Sequence, residues 1–308
     1  MPQPTLNIGT AGWSYANWEG IVYPKPHPKG FHALEYMSRY VDMVEINSSF
    51  YKPLQPEVTS LWLNKVRDNP RFQFTAKLNQ RFTHWRMLQQ ADIEAFKAGL
   101  RPLHKAGKLG AVLMQFPWTF RFTAENRDFF IQLRRTFHEY PLVAEMRHSS
   151  WMSEEAVGTF LDYKVGFCNI DQPEYTKAMP ATALLTSPVG YVRMHGRNSS
   201  NSLGMFQPDA PRGEQHDYLY GTDELSEWKK KIDRLRRNAE SVFVVFNNDP
   251  GGKSMVNALQ LQQSYDADRT LAPYPLLCKY RCDLEPFHSS RRMAAAVATQ
   301  PYLFEEAA

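Results

Sequence analysis

Apolar runs that end in polar residues recur along this chain. In the run LVAEMR at 142–147, Glu145 and Arg147 are two positions apart, so a strand would place both side chains on one face. A glutamate and an arginine at the end of a buried strand lose hydration energy unless they pair with each other or take part in chemistry. The pattern therefore indicates a site assembled from strand ends.

The same pattern predicts eight strands. The apolar runs lie near residues 6, 43, 73, 111, 143, 166, 191 and 242, and helical spacing of apolar residues separates most of them. Eight βα units are typical of an α/β protein with a (β/α)8 TIM-like barrel. A doubly wound open sheet is the alternative, but no GxGxxG follows the first strand. We predict a single barrel domain at 1–282 and a peripheral or partly disordered C-terminal tail at 283–308.

Composition narrows the partners and the cellular location. The 308 residues are 43% hydrophobic and 22% charged, with a net charge of +4, which suits an anionic ligand without requiring nucleic acid. Three cysteines and no secretory signal pattern favour reduced thiols and a cytoplasmic protein. No apolar run approaches the roughly 18 residues of a membrane helix, so we expect no membrane partner. The oligomeric state stays open.

The polar strand ends supply the candidate site, because TIM-type barrels carry their active sites at the carboxyl ends of the strands. The predicted catalytic residues are Glu45, Glu145, Asp171 and His195. The predicted substrate-binding residues are Trp13, Tyr15, Asn47, Tyr51, Lys77, His84, Gln115, Arg147, Arg193, Arg197 and Asn247. No metal ligand and no cofactor is assigned, and a divalent metal stays an open alternative.

Several motifs in a fixed order resemble the YecE-like domain-of-unknown-function family. They are IGTAGWSY, VEINSSFY, FTAKLNQRFTH, LMQFPWTF, VAEMRHSSW, a strand ending in Asp171, YVRMHGRN and VFNND, and they involve every predicted strand. The resemblance implies a TIM-barrel-like fold. It implies no activity, because none is established for the family. In outline the family is similar to the xylose isomerase and endonuclease IV group of barrels, which is an analogy of fold alone.

The first functional hypothesis is an enzyme, expected to be a hydrolase or a lyase, that acts on a small phosphorylated or otherwise anionic substrate. Arginine binds oxyanions through two parallel hydrogen bonds, so the arginines and Lys77 would hold the substrate. Glu145 or Glu45 would be the general base, and His195 would be an acid or a second base. Aromatic residues of the first loop would stack on a ring of the substrate.

Two alternatives stay open. The acids and His195 could bind a divalent ion in a phosphoesterase or nuclease similar to endonuclease IV-type barrels. The chain could also bind a nucleotide or nucleic acid without catalysis, through the basic residues at 229–237 and the long polar loop at 196–220.

Overall fold

Eight strands form the centre of the molecule. The computed structural model describes residues 4–198 and 216–287. The strands are β1 Thr5–Ala11, β2 Met43–Ile46, β3 Gln73–Lys77, β4 Leu109–Gln115, β5 Leu142–Glu145, β6 Gly166–Asp171, β7 Val189–Met194 and β8 Ser241–Phe246.

The strands close into a barrel in sequence order. Each strand pairs in parallel with the next, and β8 returns to pair in parallel with β1, where Gly9 lies opposite Val245. A closed parallel sheet leaves no edge strand, and its helices must lie outside it. The predicted (β/α)8 barrel is therefore confirmed.

Helices connect most of the strands. They are α1 Ala33–Met37, α2 Ser48–Tyr51, α3 Pro56–Lys65, α4 Gln80–Thr83, α5 Gln90–Lys105, α6 Ala124–Thr136, α7 Glu154–Asp162, α8 Thr222–Arg236, α9 Lys253–Tyr265 and α10 Tyr274–Lys279. Side-chain caps set some of the starts: at α6 the Thr123 hydroxyl accepts a hydrogen bond from the backbone amide of Asn126. Residues 172–188 join β6 to β7 without a helix, and three prolines lie in this segment.

The register decides which side chains face the interior of the barrel. Glu45 lies opposite Thr75, and both lie on the inner face. The hydroxyl of Tyr191 on β7 donates to Glu45 on β2, and because these strands are not neighbours the contact crosses the interior. Alternate residues such as Phe74 point outward, where Phe74 stacks on Trp62 of α3. The interior is therefore polar toward the carboxyl ends of the strands.

The C-terminal part of the described chain packs against the barrel. Leu284 and Phe287 are both buried. The predicted boundary at 282 stays a prediction, and residues 288–308 of the predicted tail lie outside the described residues. Among the described residues, no helix combines the length and the apolar composition that crossing a membrane requires.

Candidate active site

Arg193 lies at the centre of the polar interior. Its Nη2 donates to Glu45 Oε1 at 2.7 Å, and its Nη1 donates to Glu145 Oε2 at 2.6 Å. The Arg193 side chain is 2% exposed and both glutamate side chains are 0% exposed. Burial opposes the charge of Arg193, but the two carboxylates outweigh it and hold the pKa of Arg193 well above its usual value. One guanidinium group therefore joins strands β2, β5 and β7 across the barrel.

Glu45 has partners on both carboxylate oxygens. Oε2 accepts a hydrogen bond from the Tyr191 hydroxyl at 2.9 Å, while Oε1 faces Arg193. The Thr75 hydroxyl lies 2.8 Å from the Tyr191 oxygen and can donate to it, because Tyr191 uses its own proton toward Glu45. Glu45 is thus fully paired and is cut off from a ligand entering from the mouth.

Glu145 lies between two guanidinium groups. Its Oε1 is 2.5 Å from Arg147 Nη2, without the angle of a hydrogen bond, and its Oε2 faces Arg193. Burial opposes the charge, but Arg147 and Arg193 outweigh it and hold the pKa of Glu145 well below its usual range. A carboxylate held in this way is ionised near neutral pH and is a weak base. The geometry therefore gives little support to the predicted role of Glu145 as the general base.

His195 is held neutral. Its Nε2 lies 3.1 Å from Arg147 Nη2 and 3.5 Å from Arg193 Nη1, and burial together with Arg147 lowers the pKa of His195 well below its usual value. Because both arginines can only donate, Nε2 must present a lone pair to them, and Nδ1 then carries the proton. Asn247 Nδ2 lies 3.0 Å from Nδ1, so this tautomer requires the Asn247 amide to be turned, with its oxygen accepting from Nδ1.

Lys77 and Arg147 reach the accessible side of this cluster. Lys77 is partly buried, its ammonium lies 4.3 Å from the ring centroid of Phe50, and it makes no ion pair within the described part of the chain. Burial, followed by the charge of Arg193, lowers the pKa of Lys77 to about 8. The Arg147 side chain is 11% exposed, and its Nη1 donates to Gln172 Oε1 at 2.9 Å.

Two amide side chains complete the inner surface of the mouth. Gln115 is paired with Glu145 in the β4–β5 register, so it shares the inner face, and it is partly buried. Asn47 follows β2 and lies beside the Tyr15 hydroxyl. The structure therefore brings together, or places next to one another, Glu45, Asn47, Lys77, Gln115, Glu145, Arg147, Arg193, His195 and Asn247.

Asp171 and Arg197 do not join this cluster. Asp171 pairs with Met194 in the β6–β7 register, one position out of step with Arg193, so its carboxylate points to the outer face. There it accepts hydrogen bonds from Trp228 Nε1 at 2.8 Å and from Arg197 Nε at 3.0 Å. The expectation that Asp171 and Arg197 meet the other site residues is wrong, because strand alternation turns them toward α8.

The predicted aromatic residues divide into two groups. Trp13 packs edge-on against Trp62 at 5.0 Å, and Tyr15 packs against Trp18 at 4.9 Å, so both stabilise the first loop. Tyr51 is 60% exposed, and His84 lies 5.1 Å from Phe50, the ring beneath Lys77. Burial and the charge of Lys77 lower the pKa of His84 to about 4. Tyr51 and His84 therefore stand on the Lys77 side of the mouth.

Sequence reasoning missed His216 and Asp249. His216 Nδ1 donates to the His195 carbonyl at 3.1 Å, and burial lowers the pKa of His216 to about 4. It follows a long polar loop with no periodic pattern, so no sequence signal marks it. Asp249 lies just beyond β8, and burial raises its pKa to about 6. The polar end of that strand, NND, was the signal that could have found it.

The side chains present do not fit a divalent metal ion. Among residues 4–198 and 216–287, no group of three or more His, Cys, Asp and Glu is arranged to hold a metal. The carboxylates of Glu45 and Glu145 already face guanidinium groups, and a metal would have to displace those cations. The donor set gives no support to the phosphoesterase alternative.

A family model described as "Protein of unknown function DUF72" matches residues 7–276. The chain belongs to this family. The UPF0759 protein YunF of Bacillus subtilis is 30% identical to it over 287 residues, which are 88% of this chain and 99% of YunF. The UPF0759 protein YecE of Escherichia coli K12 is 30% identical over 117 residues, covering 37% of this chain and 39% of YecE. The predicted membership of the YecE-like family is confirmed.

The barrel also matches a solved DUF72 structure. A DUF72 family protein of Thermotoga maritima superposes with a TM-score of 0.73 at 28% identity, covering 85% of this chain and 99% of that one. Neither the DUF72 description nor the UPF0759 names assign an activity. The function must therefore be argued from the side chains at the mouth of the barrel.

Proposed function

We propose that this DUF72 protein is an enzyme that acts on a small anionic substrate at the carboxyl-end mouth of the barrel. The observation that carries the proposal is that the negatively charged side chains of the mouth are fully buried, whereas two of its positively charged side chains are not. Both glutamate side chains are 0% exposed, whereas Lys77 and Arg147 are partly exposed. A ligand arriving from solvent therefore meets cations first, in a recess where charge is poorly screened.

The charge balance supports an anion. Three cations, Lys77, Arg147 and Arg193, lie near the two carboxylates, which leaves one positive charge when Lys77 is protonated and His195 is neutral. Arginine presents a fixed fork of donors that suits phosphate or carboxylate oxygens. Arg147 is the arginine that a ligand can reach, since Arg193 is 2% exposed and already donates to both glutamates. We assign substrate binding to Arg147 and Lys77.

Acid–base chemistry at this site rests on the neutral groups rather than on the glutamates. The lowered pKa of Lys77, about 8, allows its amine to lose a proton near neutral pH. The lone pair on His195 Nε2 points at Arg147, so His195 orients that arginine. Glu145 positions Arg147 and Arg193. Proton transfer by Lys77, with His84 beside the same ring, is the arrangement that we expect in a hydrolase or a lyase.

Nucleic-acid binding receives less support. On α8, Lys229 lies 3.0 Å from Asp233, and Lys231 lies 2.5 Å from Glu227, so acids on the same helix offset part of its basic face. Most of the loop at 196–220, which that hypothesis also uses, lies outside the described residues. A cytoplasmic location remains part of our proposal, because all three cysteines are free thiols.

Calorimetric titration with a panel of phosphorylated and carboxylated metabolites tests the proposal. We expect at least one anion to bind, and Arg147→Gln to weaken that binding by about 2 kcal/mol, as for a lost charge-assisted hydrogen bond. Arg197→Gln is the matched control, since Arg197 lies on the outer face and should leave the affinity unchanged. Failure of every anion to bind would refute the proposal, as would equal losses in the two variants.

A further inference from the structure

The amine of Lys77 differs from the arginines of the mouth in having no ion-pair partner among the described residues. Lys77 is the last residue of β3, on the inner face, where register pairs it with Leu113. Its carbonyl accepts a hydrogen bond from Ser49 Oγ at 2.7 Å, which fixes the backbone at the strand end. In the described part of the chain its amine makes no ion pair, although the buried carboxylates of this barrel are paired with arginines. A lysine that only balanced charge would be expected to share in that pairing.

The surroundings of the Lys77 amine favour its neutral form. Burial removes water from the amine, and Arg193 and Arg147 add positive charge nearby. Together they outweigh Glu45, Glu145 and the face of Phe50, which all favour the charged ammonium. These effects lower the pKa of Lys77 to about 8, so a substantial share of the amine is unprotonated at the upper end of the neutral range. Desolvated lysines beside other cations are the ones that attack carbonyl carbons.

We propose that Lys77 forms an imine with the carbonyl carbon of a small anionic aldehyde or ketone, such as an α-keto acid or a phosphorylated ketose, whose anionic group binds Arg147. This inference rests on the proposed function, since it names the substrate class of the same site. It goes further because it assigns covalent catalysis to one residue and predicts a chemical adduct.

The step balances without an added reagent. The lone pair of Lys77 Nζ attacks the carbonyl carbon, and the carbon–oxygen π electrons move to oxygen, which takes up a proton while the nitrogen loses one. The resulting hydroxyl then takes a second proton, from solvent, and leaves as water, while the nitrogen lone pair forms the carbon–nitrogen double bond. The product is a protonated imine, which withdraws electrons from the neighbouring carbon–carbon or carbon–hydrogen bond.

A neutral imidazole lies on the same side of the mouth. His84 shares the ring of Phe50 with Lys77, and its Nδ1 lies 2.9 Å from the Thr83 hydroxyl. Its pKa, lowered to about 4, keeps the imidazole neutral but also makes it a weak base. His84 therefore adds no charge beside the reacting amine, and the proton that the amine loses passes to solvent.

Borohydride trapping tests this inference on the full chain. The protein is incubated with pyruvate, glyoxylate or dihydroxyacetone phosphate, reduced with sodium borohydride, and mapped by peptide mass spectrometry. We expect one reduced adduct per chain, on Lys77, with a rate of trapping that rises as the pH passes about 8. Acetone, a ketone without a charge, should label Lys77 at least 10-fold less, because Arg147 would have nothing to bind.

Two lysine variants provide the controls. Lys77→Arg keeps a cation but cannot form the imine, so it should abolish the adduct while retaining anion binding by calorimetry. Lys52→Arg changes an exposed lysine that follows α2 and should leave labelling of Lys77 unchanged. Anion binding without a Lys77 adduct, or labelling spread evenly over exposed lysines, would overturn the imine and leave the anion site standing. Absence of binding by any anion would overturn both.

Discussion

Two arginines of this barrel make similar ion pairs in different places. Arg193 on β7 donates to Glu45 and Glu145 inside the barrel. Arg197, four residues later, donates to Asp171 outside it and lies 3.1 Å from Glu224 of α8. The inner arginine joins strands across the interior, and the outer one joins the sheet to a helix.

The difference lies in exposure and in what surrounds each pair. The Arg193 side chain is 2% exposed, whereas the Arg197 side chain is 30% exposed. The inner pair lies beside Lys77 and Arg147, which a ligand can reach, while the outer pair is covered by Trp228. The comparison teaches that an arginine–carboxylate pair belongs to the site or to the scaffold according to the face of the strand that carries it.

The largest effect should come from removing the inner arginine. Arg193→Met leaves the buried carboxylates of Glu45 and Glu145 without their shared cation, and we expect the free energy of unfolding to fall by about 3–5 kcal/mol. Urea denaturation measures it. Arg197→Met should cost about 1 kcal/mol, because that side chain is partly solvated. Similar losses in the two variants would contradict the distinction between the clusters.

Lowering the pH should change stability in opposite directions through the buried histidines near Arg193 and through Asp171 in the outer cluster. His195 and His216 have folded-state pKa values below the usual 6.5, so the unfolded chain binds protons first and stability is lost as the pH falls below about 6.5. Burial raises the pKa of Asp171, so protonation of that carboxyl in the outer cluster favours the folded state instead.

Urea midpoints between pH 7.5 and pH 4.5 measure this dependence. We expect His216→Gln to remove on the order of 2 kcal/mol of the acid-induced loss of stability, because its folded-state pKa is about 4. Asp171→Asn is the comparison, and it should not reduce the loss. An unchanged slope in His216→Gln would show that His216 titrates normally in the folded chain.

The smallest effect on stability should come from removing the charge of Asp171 in the outer cluster. This variant also tells an effect on stability apart from an effect on anion binding. Asp171→Asn keeps an acceptor for Trp228 and should cost about 1 kcal/mol of stability without changing the affinity for anions. Glu145→Gln is its inner counterpart. It removes a negative charge beside Arg147 and Lys77, so anions should bind more tightly. Calorimetry on both variants measures this, and weaker binding in Glu145→Gln would mean that holding Arg147 in position matters more to the ligand than the charge removed.

Much of the site could be read from strand alternation. The spacing of Glu145 and Arg147 predicted a shared face, Arg193 and His195 were predicted at another strand end, and these four side chains do meet. The same reasoning placed Asp171 at the end of β6 but could not tell which face of that strand was the inner one. Strand β6 is buried on both sides, so its pattern of apolar and polar residues carries no inside or outside signal.

The sequence by itself determined the number of strands, the family and the residues that end each strand, because local periodicity and motif order are properties of the chain. Only the tertiary structure decided which charged side chains pair with one another. Arg193 reaches Glu45 across 148 positions of sequence only when the barrel closes, and the contact of His216 with the His195 carbonyl likewise exists only in the folded chain. Long-range pairing of charges depends on barrel closure and register, which no local pattern encodes.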